Sequence, residues 1–232
     1  MAEDERALIV GAGFGLSAAL ARRCAAAGME VILAARDIDK IAELAREIGA
    51  KTVACDASRS EDVDRLFAAV AADSGSLDLV VYNASGRTRG PVVELDPEAV
   101  RQTLMVTAFG GFLVAQGAAR RMLPQGHGTI LLTGASAGVK GYPRSAPFAM
   151  GKFALRGLAQ SLARELHPQN IHIAHIVIDG SIARPNDPRL PERGADAMLA
   201  ADAIAETYLQ LHRQHRSAWA WEIELRPWVE TF

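Results

Sequence analysis

With 232 residues, half of them hydrophobic, the chain can bury one sizeable core, and a sheet-and-helix fold of that size is expected to run as a single domain over residues 1–232. Its formal net charge of -2 comes from interspersed acids and bases, which excludes the basic footprint of a nucleic-acid binder or of a protein held on an anionic membrane. Small neutral or weakly charged partners fit that balance better.

The N-terminus, MAEDERALIV, is acidic and enters a short apolar run without the basic start and longer apolar stretch of a signal peptide. No run approaches membrane-spanning length, so no membrane partner and a cytoplasmic setting are expected. A first strand is predicted over Ala7–Val10. GAGFGLSAAL follows, with Gly11, Gly13 and Gly15 leading into a helical pattern at Gly15–Ala27. Glycines let the backbone turn tightly and approach a pyrophosphate, whose charge then meets the amides left over at the helix start; Phe14 and Leu16 belong to the same loop. The other reading is a plain strand-to-helix turn. The second strand, Glu30–Ala34, leads to Ala35 and Arg36. An acid there would bond a free ribose 2′-hydroxyl and favour NAD, whereas the planar fork of an arginine pairs with a 2′-phosphate. Arg36 therefore leans toward NADP(H), with NAD(H) still open because Asp37 next door could neutralise the guanidinium.

The pattern continues with a helix at Ile38–Ile48, a strand at Thr52–Cys55, a helix at Ser60–Ala72 and a strand at Leu77–Tyr82. A loop is predicted over Ser85–Pro91, then a long helix at Pro97–Met122, a strand at Thr129–Thr133, a helix at Ala146–Leu166 and a strand at Ile171–Ile178. A second loop, Ala183–Ala195, should cover a pocket before the helix at Ala197–Gln214 and an edge strand at Trp219–Leu225. Alternation of short apolar runs with 3.6-period segments points to an α/β fold: a Rossmann-type, doubly wound, parallel seven-stranded sheet with helices on both faces. Asp37 and Ser60 stand where helix caps are expected, Pro97 follows Asp96 as a first-turn proline, and Gly28 and Gly49 stand where helices should stop.

Cys24 and Cys55 make neither a disulfide framework nor a metal set. His172 and His175 are three apart in a strand and point to opposite sides, while His212 and His215 could share a helical face but have no companion ligands. A solvated helix end is the simpler expectation for that pair, and no metal is expected. Pro227, Trp228 and Phe232 in the tail suggest a subunit contact or a cover for the domain's own edge.

Gly11 to Ser17, Asp56 after the third strand, Tyr82-Asn83-Ala84-Ser85 after the fourth, Ser136 after the fifth and Lys152 on the following helix appear in series. In that series the chain resembles the short-chain dehydrogenase/reductase family across nearly its whole length. Ser17 stands where members usually have a third glycine, and Tyr82 to Ser85 where they have Asn-Asn-Ala-Gly. The resemblance implies that Asp56, with Ala57 beside it, meets the adenine, and that Asn83 and Ala84 line the cofactor. It further implies that Lys152 bonds the nicotinamide ribose and that Gly180 and Ile182 lie at the carboxamide. A small-molecule substrate is implied, as is pairing of the two long helices in a homodimer or homotetramer.

The catalytic set departs from the family's Asn, Ser, Tyr and Lys, in which Tyr and Lys are four apart on one helical face. Phe148 precedes Lys152 by four, and aligning LMVTAFGGFLVAQ by its Phe-Leu puts Thr107 at the Asn position. In similar enzymes the phenol passes a proton to the carbonyl oxygen, its pKa lowered from about 10 by the ammonium. Phenylalanine has no such proton. Ser136 would still bond a substrate carbonyl, although its separation from position 148 is one residue shorter than is common. A positioned acid contributes about 10²–10⁴ in rate, so a pocket without one is impaired rather than dead. Tyr142, in GYPRS, could supply the hydroxyl or be a rim residue. Asp179, where relatives have proline before Gly180, could act as an acid or be a turn residue paired to a backbone amide or to an arginine. The leading expectation is an NADP(H)-dependent oxidoreductase of small carbonyls or alcohols with an atypical site. The others are a dinucleotide-binding sensor or assembly partner without turnover, and non-redox dehydration or isomerisation.

Overall fold

Runs such as Ala7 to Val10 and Leu79 to Tyr82 are buried at every position, which only a strand covered on both faces requires. A computed structural model describes residues 5–72, 75–184, 187–194 and 196–230. Its strands are β1 (Arg6–Val10), β2 (Glu30–Ala35), β3 (Lys51–Ala54), β4 (Leu79–Tyr82), β5 (Gly128–Thr133), β6 (Ile171–Ile178) and β7 (Glu222–Leu225). They form one seven-stranded sheet in the order β3-β2-β1-β4-β5-β6-β7, parallel throughout. The helices are α1 (Leu16–Ala26), α2 (Ala42–Ile48), α3 (Ser60–Ala72), α4 (Pro97–Leu104), α5 (Gly110–Gln125), α6 (Ala146–Leu166), the short α7 (Leu190–Arg193) and α8 (Ala201–His212).

Alternate residues of each central strand feed two cores. Ala7 and Ile9 join α1, α2 and α8 on one face, while Leu8 and Val10 join α3, α5 and α6 on the other. The Rossmann-type fold expected from the alternation is therefore the fold observed. Strand order reverses between β1 and β4, and in open α/β sheets the crevice beyond the carboxyl ends at that point is where ligands bind. Among the described residues no helix is long and apolar enough to cross a membrane.

Several boundaries moved for identifiable reasons. Leu77 stays out of β4 because the Gln125 side chain takes both its amide (2.9 Å) and its carbonyl (3.0 Å). The helix expected over Pro97–Met122 is two α-helices joined by a π-helical turn, Met105–Phe109. α8 begins at Ala201 rather than Ala197 because Leu199 is drawn into a β-bridge with Ile182. The expected strand from Trp219 shortens to Glu222–Leu225, since the Trp219 ring instead stacks on His172 at 4.7 Å. The loop over Ala183–Ala195 carries α7, and Pro185, Asn186 and Ala195 lie outside the described residues, as does Phe232. Asp96 caps α4 through the amides of Glu98 and Ala99, and Gly28 and Gly49 adopt the positive φ that ends α1 and α2.

Candidate functional site

At the strand ends the glycines have two different jobs. Gly11, at φ +84°, lets the loop after β1 press on the loop after β4: a Cβ there would stand 2.4 Å from the Ala84 nitrogen. At Gly13 and Gly15 a Cβ would meet no protein atom within 4 Å, so that side of the turn faces open space. The start of α1 has no side-chain cap and no acid in its first turn. Leftover amides beside an open, Cβ-free turn form a cradle for an anion such as a diphosphate. Ser17 explains its own place: its hydroxyl donates to the Gly11 carbonyl (2.9 Å) and accepts from the Asn83 side chain (2.7 Å), tying α1 to the ends of β1 and β4.

Two clefts meet at Asn83, Ser85 and Arg87. One, of 520 Å³, is lined by Gly11, Arg36, Asp56, Ala57, Asn83 and Ala84. The second, of 770 Å³, is lined by Gly15, Leu16, Ser136, Tyr142, Phe148, Lys152, Gly180 and Ile182. Most of the sequence-selected residues are thus brought together along these clefts; Gly13, Phe14, Thr107 and Asp179 line neither, and Phe14 is 73% exposed. One Asp56 oxygen is taken by the amide and hydroxyl of Ser58. Asp37 pairs with Lys40 at 2.9 Å rather than with Arg36, and Arg36 has no acidic partner among the described residues. The bridge of Ile182 to Leu199 uses the Ser181 carbonyl and the Ala183 amide, so Ile182's own amide and carbonyl are not part of it. This donor and acceptor set fits a dinucleotide: an anion cradle in the middle, a cation at one end, and lysine and backbone groups at the other.

Lys152 is buried, its ammonium donating to the Thr133 carbonyl at 2.7 Å. Burial, helped by the Arg87 charge, pulls its pKa down to about 8. Phe148 lies one turn earlier on α6, its ring centroid 5.8 Å from the Lys152 nitrogen and 4.7 Å from the Arg87 guanidinium carbon. Thr107, fully buried in the π turn, accepts a hydrogen bond from the Gly86 amide at 2.9 Å. Tyr142 is 41% exposed on the rim of the second cleft, with the Lys140 nitrogen 5.7 Å from its ring. Asp179 lines neither cleft; Arg226 at 3.0 Å and Lys140 at 3.5 Å hold it, the turn-and-arginine alternative rather than an acid in the groove.

The histidines are structural. His172 bonds the Ala220 carbonyl and His175 bonds Glu222. His212 ends α8, so it shares no helical face with His215; it is buried against Thr129, not solvated. Among the described residues no histidine, cysteine and carboxylate group could hold a metal. Burial pushes the thiols of Cys24 and Cys55 up to about 11, which leaves them unreactive. The sequence reading missed Arg87 and Arg89, which line the second cleft from the loop after β4; the signal was two arginines in SGRTRG, a loop noted only as a loop.

Comparison with known proteins agrees with the geometry. The family described as short chain dehydrogenase matches residues 5–183. An oxidoreductase, asL5, of Sarocladium schorii is 33% identical over 179 residues, covering 76% of this chain and 72% of its own. The crystal structure of a short-chain dehydrogenase from Rhodopseudomonas palustris matches with a TM-score of 0.84 at 33% identity, over 97% of this chain and 99% of the other. A metagenomic short-chain oxidoreductase solved in complex with NADP matches with a TM-score of 0.84 at 27% identity, over 96% and 97%.

Proposed function

The chain belongs to the short-chain dehydrogenase/reductase family of oxidoreductases, and from that premise we propose that it binds NADP(H) and interconverts a small carbonyl compound and its alcohol. The observation that carries the cofactor preference is Arg36, which lines the first cleft and has no acidic partner among the described residues while Asp37 is held by Lys40. In this reading the Gly13–Gly15 turn would hold the diphosphate, Asp56 and Ala57 would meet the adenine, and Asn83 and Ala84 would line the middle. Lys152 donates to the nicotinamide ribose, Gly180 and Ile182 meet the carboxamide, and Ser136 donates to the substrate oxygen. A nicotinamide dinucleotide held there would supply hydride chemistry. A water or the rim hydroxyl of Tyr142 then exchanges the substrate's proton, because Phe148 has none to give.

Calorimetry with NADPH and NADH tests the binding half. NADPH is expected to bind the more tightly, and Arg36→Ala to weaken it by about tenfold while leaving NADH nearly unchanged. No affinity for either dinucleotide would sink the proposal. Absorbance change across a panel of aldehydes and ketones tests the turnover half. A second reading, a dinucleotide-binding protein without turnover, is favoured by Phe148 and by Thr107, whose hydroxyl is spent on the Gly86 amide. Phe148→Tyr separates the two: a gain of about 10²–10⁴ in rate would mark a catalyst that lost its acid.

A further inference from the structure

We infer that the substrate carries an anionic group, a carboxylate or a phosphate, seated by Arg87 with Arg89 at the reaction end of the second cleft. The inference rests on the proposal that this cleft takes the substrate, and it adds the chemical class. The cleft that holds Ser136, Phe148 and Lys152 is also lined by Arg87, Arg89, Arg184 and Arg189 and, among the described residues, by no aspartate or glutamate. Arg189 is neutralised, its guanidinium held by both Asp187 oxygens at 2.8 and 2.6 Å. Among the described residues the guanidinium groups of Arg87, Arg89 and Arg184 form no ion pair, although the Arg184 backbone amide donates to Asp187 at 3.3 Å. By contrast Arg6, Arg22, Arg101 and Arg156 each meet a glutamate elsewhere on the molecule.

Arg87 is also placed, not merely present. Its guanidinium carbon lies 4.7 Å from the Phe148 centroid, on the ring that Lys152 also approaches at 5.8 Å. A guanidinium resting on an aromatic ring keeps its planar fork of donors for a carboxylate or phosphate. Holding Arg87 beside Arg89 and near Lys152 is unfavourable without an anion: burial and the Arg89 charge depress the Arg87 pKa, and the Arg87 charge depresses that of Lys152. An incoming carboxylate or phosphate relieves that repulsion and gains charge-assisted hydrogen bonds.

Calorimetry on the full chain, with and without saturating NADP, provides the test, using benzoate, phenyl phosphate and benzyl alcohol as probes. Benzoate or phenyl phosphate is expected to bind about tenfold or more tightly than benzyl alcohol, and which of them leads identifies the anion. Arg87→Gln is expected to abolish the preference, and Arg89→Gln, at a residue that lines the second cleft and not the first, to weaken it without changing NADPH affinity. Equal binding of the alcohol, or no binding of either anion, overturns the inference. So does an Arg87→Gln chain that loses NADPH affinity but keeps benzoate, since the arginine would then serve the cofactor. Anion preference in a chain with no dinucleotide affinity would leave this inference standing and remove the cofactor proposal, so the two fail separately.

Discussion

Lys152 is a charge kept out of water, its ammonium donating to the Thr133 carbonyl with no carboxylate beside it among the described residues. Its folded pKa of about 8 lies below the ~10.4 of an exposed lysine. Between those values the folded chain binds fewer protons than the unfolded one, so this group's contribution to stability rises with pH. The penalty is fully present below pH 8 and relieved toward pH 10. Lys152→Met is therefore expected to equal or exceed the wild type at pH 7 by up to about 3 kcal/mol, with the advantage shrinking as pH rises to 10. Urea melts of both proteins across that range check it, and a variant clearly less stable at pH 7 would refute the cost. The same substitution should weaken dinucleotide binding, a separation of stability from function common at cofactor sites. Lys152, Asp56 and the glycine turn were legible because type and spacing alone select them. Arg87 was not, since an arginine in a loop acquires meaning only when its neighbours in space turn out to hold no acid.

At the scale of elements, the 3.6-residue period runs unbroken through Pro97 to Met122, so the sequence reads as one helix. What splits it is tertiary. The Tyr82 hydroxyl donates to the Val106 carbonyl, the Gly86 amide to Thr107, and Gly151 of α6 approaches so closely that a Cβ there would lie 2.9 Å from the Thr107 Cβ. These three attachments fasten the π turn to β4, to the loop after it and to α6, and π turns of this kind recur at functional sites. No periodicity shows them, whereas strand order and the helix faces followed from apolar alternation. Thr107→Val keeps the shape and removes the acceptor of the Gly86 amide, which is expected to cost about 1–2 kcal/mol in denaturant unfolding. The loop it frees carries Arg87, so the variant should also bind benzoate less tightly while NADPH affinity holds. Unchanged unfolding would mean that water replaces the hydroxyl and that packing alone fixes the turn.

For the whole molecule, a net charge of -2 conceals a cationic cleft, because the acids that balance it lie elsewhere; net charge bears on solubility and says little about a site. The same averaging hides the apolar surface. Phe109 and Phe112 stack at 6.2 Å with both rings 40% exposed, and Met150 and Phe153 on the neighbouring α6 are 51% and 45% exposed. Large apolar side chains left in water on neighbouring helices are a common mark of a subunit contact, so pairing through α5 and α6 in a homodimer or homotetramer is expected. Trp228, 80% exposed in the tail, offers a competing contact. Light scattering coupled to size exclusion distinguishes them: Met150→Glu with Phe153→Glu should lower the mass to that of one chain and leave the thermal unfolding cooperative, while Trp228→Ala should change nothing. A wild-type monomer would end the argument for the helix pair, and dissociation by Trp228→Ala alone would move the interface to the β7 edge. That edge lies beside Gly180, whose Cβ position is already crowded at 2.7 Å by Pro227, so a tail contact would couple assembly to the reaction end of the cleft.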